Sequence, residues 1–194
     1  MKKSVLSLLM VLACGLSLSA QRVTEYFNVG NPISYCATDY WLAWSARPQT
    51  FYYVQEYLPQ GETLEHYNQL FTVSVLFWDL TPEQAVEAKI AELEQRKASD
   101  PVVNYKVAEN GDGEYILEFV VSDTNNGEIS TVEVDIHYYK QMTLMGRKAS
   151  VLYFYSCRAY DDDILPFIQS IPERRAEWYN GIIGLNLVPD FKKK

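Results

Sequence analysis

Tyr115-Ile116-Leu117-Glu118-Phe119-Val120-Val121, then Asn125-Asn126-Gly127, then Ile129 to Tyr139 is the stretch that decides the fold class. β-Branched and aromatic residues dominate both runs, and the Asn-Asn-Gly between them tolerates the positive φ angles that a tight antiparallel turn needs. Asn110-Gly111-Asp112-Gly113, just upstream, is a second turn of the same kind. After Gly146, Ala149 to Cys157 is almost unbroken in apolar character, which predicts a central strand covered on both faces. Working back toward the N-terminus, Tyr40 to Trp44 and Thr50 to Val54 read as short aromatic strands around an Arg47-Pro48-Gln49 turn, and Leu70 to Trp78 as a third. The pattern predicts a mainly antiparallel sheet of six or seven strands.

Two helices complete it. Thr81-Pro82-Glu83-Gln84 offers an N-cap, a proline at the first helical position and a capping-box glutamine, ahead of Ala85, Val86, Ile90 and Leu93. Near the end, Asp161-Asp162-Asp163 precedes Ile164, Leu165, Phe167 and Ile168, and Pro172 is expected to open a second helical piece that stops at Gly181. Hairpin-linked strands with segregated helices make the class α+β, with room for a helix on each face.

In element order the chain resembles the PsbP/DcrB-like fold. The likeness spans roughly Val23 to Gly181: a hairpin-rich start, the segment Tyr57-Leu58-Pro59-Gln60-Gly61-Glu62-Thr63-Leu64-Glu65-His66-Tyr67, a strand, a capped helix, a three-strand meander and a C-terminal helix. That superfamily includes the extrinsic photosystem subunit PsbP and exported bacterial lipoproteins of the DcrB kind. The resemblance implies a single-domain αβα sandwich serving as an accessory or binding module. It carries no family motif and therefore assigns no ligand-binding or catalytic residue here.

Lys2 and Lys3, the apolar run Val5 to Leu18 and the small residues Ser19 and Ala20 read as a bacterial secretory signal over residues 1–20, leaving residues 21–194 as one domain. Two endings are open. Cleavage after Ala20 frees a periplasmic or secreted protein, whereas Val11-Leu12-Ala13-Cys14 resembles a lipobox in which Cys14 is lipidated and anchors the chain in the envelope. The run from Val5 to Leu18 is short of the roughly 20 residues a spanning helix needs, and no other run is long enough, so the mature chain is expected to hold no transmembrane segment.

Charge narrows the partners. The chain has 25 acidic and 17 basic residues, a net charge of −8 that becomes more negative once Lys2 and Lys3 leave. Its one basic cluster is the terminal Lys192-Lys193-Lys194, too little to hold a phosphate backbone, so nucleic acid is excluded as a partner. With 48% apolar residues and no linker or repeat, one core is expected.

A scan for chemistry gives few candidates. Two histidines, His66 and His137, cannot make a multi-histidine metal site, and no GxSxG, GxGxxG or GxxxxGK[ST] occurs. No cofactor and no metal is predicted. In the strand Thr131 to Tyr139, Glu133, Asp135, His137 and Tyr139 share a face; they form either a solvated row or a proton-transfer pair in which a carboxylate raises the imidazole pKa. Asp161, Asp162 and Asp163, with Asp123, are carboxylates of the type calcium takes, but the spacing from Asp123 to Val134 does not match an EF-hand, and helix capping accounts for the triplet. Cys36 and Cys157 are the thiols left after processing; they are read as a disulfide, worth about 4 to 5 kcal/mol in the chain-entropy model, or as two buried apolar side chains.

Aromatics are in excess, with 15 Tyr and four Trp. Tyr40, Trp41, Trp44, Tyr52 and Tyr53 are the candidate binding surface, although strand parity sets Tyr40 and Trp44 on one face and Trp41 on the other. The favoured expectation is an exported, non-enzymatic accessory or protein-binding module of the cell envelope, with an envelope protein as partner. A secreted glycan- or small-ligand-binding protein using the aromatic surface is the alternative. A hydrolase built on His137 and neighbouring carboxylates comes third.

Overall fold

The computed structural model describes residues 23–191. The expected secretory signal and Cys14 lipobox, and the Lys192 to Lys194 tail, lie outside the described residues.

The strands are β1 (Ile33–Tyr35), β2 (Thr38–Gln49), β3 (Tyr52–Pro59), β4 (Gln69–Leu76), β5 (Asn104–Glu109), β6 (Tyr115–Asn125), β7 (Glu128–Leu144) and β8 (Arg147–Tyr160). They form one sheet in the order β1-β2-β3-β4-β8-β7-β6-β5. Every pairing is antiparallel. Two helices, α1 (Pro82–Arg96) and α2 (Ile164–Gly184), lie against it.

The expected αβα sandwich on six or seven strands is corrected to an eight-stranded antiparallel sheet curled into a half-barrel, with two helices. The two strands the pattern missed are the edges. β1 is three residues long, too short to show alternation, and β5 is exposed at every position but Tyr105, so neither of its faces carries an apolar signal. The centre was legible: Val151, Tyr153 and Tyr155 point to one side of β8 and Leu152 to the other, all buried.

Three other boundaries differ from the sequence reading. Arg47-Pro48-Gln49 lies within β2, and the turn falls at Thr50-Phe51; Pro48 is accommodated where the register with β3 slips between Ala46 and Gln49. Pro172 does not open a second helix but sits inside the continuous α2, on its exposed side. Asp161 to Asp163 form a single 3-10 turn, and Asp163 precedes α2 without any side-chain cap hydrogen bond.

Side-chain parity divides the core between the helices. On one face Tyr35, Tyr57, Phe71, Val73, Val134, Ile136, Tyr153 and Tyr155 meet Phe167, Ile171, Trp178 and Ile182 of α2. The Tyr35 hydroxyl donates to the Trp178 carbonyl at 2.8 Å, and Arg175 grips buried Glu118 of β6 through two bonds of 2.7 and 2.8 Å. On the other face Tyr52, Val54, Leu117, Phe119, Tyr139 and Leu152 meet Ala85, Val86 and Leu93 of α1. α1 starts at the capping box its sequence announces, with reciprocal Thr81–Gln84 bonds of 3.2 and 3.1 Å. Its last turn is locked to β6: Asp100 accepts from both the backbone N–H and the hydroxyl of Ser122 at 2.7 Å, and Arg96 bonds Asp100 at 3.0 Å.

Candidate functional site

β7 carries Glu133, Asp135, His137 and Tyr139 on the face toward α1, as parity requires, but the row is not solvated. Asp135 and Tyr139 are buried and His137 is half-buried. The imidazole stacks on Phe154 at 4.0 Å, meets the edge of Phe119 at 4.7 Å, and its Nδ1 lies 3.0 Å from the Tyr139 hydroxyl. Burial and the nearby Lys89 ammonium push the His137 pKa well below its ordinary value, the reverse of what a proton-transfer partner would do. Asp135 accepts from the Ser156 hydroxyl instead of from His137, and burial, reinforced by Glu133, pushes its pKa well above the ordinary carboxylate range. The row holds a neutral ring and a carboxyl whose charged form burial disfavours, inside packing.

Next to it the structure gathers groups that sequence reading did not single out. Glu133 is ion-paired with Arg158, whose guanidinium sits 4.1 Å above the ring of Tyr67. Glu56 of β3 lies opposite Thr72 of β4 and is half-buried; desolvation pushes its pKa up to about 7, with Arg158 opposing. The signal available for Glu56 was its parity: in Val54-Gln55-Glu56-Tyr57-Leu58 the carboxylate shares its side with Val54 and Leu58.

The five candidate aromatics do not form one surface. Tyr40 is fully buried against Tyr35 and Phe71, Tyr52 is buried under α1, and Tyr53 packs on Phe191 at 5.0 Å. Parity also assigned the tryptophans incorrectly. A β-bulge between Leu42 and Trp44 inserts one residue, so that Trp41 opposite Leu58 and Trp44 opposite Glu56 share the α1 side while Tyr40 faces α2. Trp44 is half-buried there, and Trp41 remains 47% exposed. Trp41 forms the wall of a shallow groove of about 420 Å³ with Leu42, Ala43, Leu58, Pro59 and the Gln60–Glu62 turn. Along the outer side of β2, β1 pairs only with Thr38 to Tyr40, so the strand edge beside this groove is open from Trp41 onward. The Asn31 side chain bonds the Leu42 N–H at 2.9 Å there.

Cys36 and Cys157 are both free thiols, the first half-buried at the β1–β2 turn and the second buried in β8. Burial pushes both pKa values up, which lowers the thiolate fraction of each. Asp123 is held by Arg96 at 2.9 Å, and among the described residues no group of His, Cys, Asp and Glu could hold a metal ion. No helix among them is long and apolar enough to cross a membrane.

The described residues form a curled antiparallel sheet that buries a few ionisable groups against its helices and carries an aromatic groove beside the outer edge of β2. The chain belongs to the protein family whose model matches residues 27–187, from Phe27 beside β3 to Leu187 just after α2. No curated protein and no solved structure matches it.

Proposed function

We propose that the protein is an exported, non-enzymatic accessory module of the bacterial cell envelope that binds an extended segment of a protein partner. The observation that carries this reading is the open edge of β2 beside half-exposed Trp41. An extended segment added to that edge beyond Leu42, whose N–H Asn31 already engages, would pair with the strand where β1 does not, and the groove of Trp41, Leu58 and Pro59 would take an apolar side chain of the same segment. Burial of His137 between Phe119 and Phe154 speaks against the hydrolase alternative, because its Nδ1 is engaged by Tyr139.

A photoreactive residue in place of Trp41 tests the reading in the native envelope. A discrete protein adduct is expected from position 41 and not from the exposed turn residue Asp112, and Trp41→Ala should weaken the isolated complex about thirtyfold, as loss of an interface anchor does. A Trp41-dependent emission shift with envelope polysaccharide and no protein adduct would replace the protein partner by a glycan. Neither an adduct nor a shift would overturn both.

A further inference from the structure

At the opposite end of the sheet from the Gln60–Glu62 turn, the turns after β2, β4 and β7 come together. Phe51 packs on Trp78 at 5.1 Å, and the Phe77 N–H donates to the Phe51 carbonyl at 2.8 Å. The β7–β8 turn projects Met145, 61% exposed, on positive φ angles at Met145 and Gly146, and Trp78 is 45% exposed. Cations surround them. The Arg147 guanidinium lies 4.8 Å over Phe77, Arg47 lies 4.7 Å over Tyr53, and Lys148 is exposed on the same hairpin. Phe191 joins the floor at 5.2 Å from Phe77 and 5.0 Å from Tyr53. Asp79 beside Trp78 and Asp190 beside Phe191 offset part of the charge, Asp112 of the β5–β6 turn lies at the same end of the sheet two strands away with Glu114 paired to Lys140, and three lysines follow Phe191 in the sequence.

We propose that this end, carrying Trp78, Met145, Arg47, Arg147 and Lys148, seats the protein on an anionic lipid surface. Charge sets the orientation: in a chain of net charge −8, an anionic bilayer repels most of the molecule, and the hairpin tips that carry Arg47, Arg147 and Lys148 meet it most favourably. Shape selects lipid over protein as occupant. The apolar side chains protrude from turn tips instead of lining a recess, which suits insertion into a deformable headgroup layer. Tryptophan is the side chain best fitted to that depth. The cations come from two separate hairpins and point from an aromatic floor, so they can meet several phosphates at once. The surface is separate from the Trp41 groove, and a protein held this way would present its open β2 edge along the membrane.

The test uses the chain from Gln21, which holds every described element, with phosphatidylcholine vesicles made with and without phosphatidylglycerol. Co-sedimentation is expected only with phosphatidylglycerol and should weaken as salt is raised. Removing one cation should cost about fivefold in affinity, so Arg47→Gln with Arg147→Gln should cost about twenty-fivefold. Met145→Asn keeps a residue suited to the positive-φ turn, so it should lower binding without lowering the melting temperature. The blue shift of emission on binding should vanish in Trp78→Phe and persist in Trp41→Ala. Absence of binding, or binding unchanged by the two arginine substitutions and by Met145→Asn, would overturn the proposal. So would binding lost only when Lys192 to Lys194 are deleted.

Discussion

The two faces of the sheet are built from the same alternating strands, yet they are filled in opposite ways. Under α2 the filling is aromatic: Tyr35, Tyr40, Phe71, Tyr155 and Trp178 form one continuous set of ring contacts, and the buried carboxylate among them, Glu118, is met by Arg175. Under α1 and the loop between β3 and β4, Glu56, Asp135, His137 and the Glu133–Arg158 pair share the space with Tyr67, Phe119 and Leu152. One face is held by area removed from water. The other is held by area less the cost of desolvating its ionisable groups, which it lowers by keeping His137 neutral and by giving Asp135 the Ser156 hydroxyl to accept from.

That contrast breaks most sharply at Trp178. Trp178→Ala should cost about 3 to 5 kcal/mol in urea unfolding, because it empties the centre of the aromatic face and α2 has no side-chain cap to hold it otherwise. A loss below about 1 kcal/mol would show that α2 is not what holds that face. Arg175→Met should cost about 2 to 3 kcal/mol by leaving the Glu118 carboxylate buried and unpaired, and Glu118→Gln in the same background should recover part of it.

On the polar face the test is pH. Folded Glu56 keeps its proton up to about pH 7, whereas the unfolded chain ionises near 4.5, so its contribution to stability falls as pH rises between those values and stays low above them. Glu56→Gln should therefore stabilise the protein by about 1 to 2 kcal/mol at pH 8 and do nothing at pH 4. His137 acts with the opposite sign. Its folded pKa lies below the ordinary 6.5, so the unfolded chain takes up a proton the folded chain refuses, and stability falls as pH drops through 6.5. His137→Phe should flatten that acid slope in thermal melts between pH 7 and pH 5, while an unchanged slope would place the titrating group elsewhere.

The smallest effect is chemical. With the chain from Gln21, both thiols should titrate as free after denaturation without reductant, and in the native protein half-buried Cys36 should label at least about tenfold faster than Cys157. A single bridge and no free thiol would tie the β1–β2 turn to the aromatic face covalently.

The long strands were legible because the central ones are buried on both faces, against α2 on one and α1 on the other, and such burial writes apolar and aromatic runs into a sequence. The misses have local causes: β1 buries Ile33 and Tyr35 but at three residues is too short for its alternation to stand out, β5 is exposed at all but one position, and Trp44 changed sides because a bulge at Ala43 costs only one residue and leaves no mark in composition. The row Glu133, Asp135, His137 and Tyr139 was grouped correctly by parity, but polarity suggested water above it and α1 lies there instead.

By itself the sequence determined the tight turns at Asn110 to Gly113 and Asn125 to Gly127 and the capped start of α1, because each rests on contacts between residues near one another in the chain. Only the tertiary structure decided the eight-stranded curl, the neutral state of His137, the gathering of Glu56 with Arg158, and the cationic aromatic end formed by Arg47, Phe77, Trp78 and Arg147. These depend on which distant residues meet and how much water remains between them, and no local pattern encodes either.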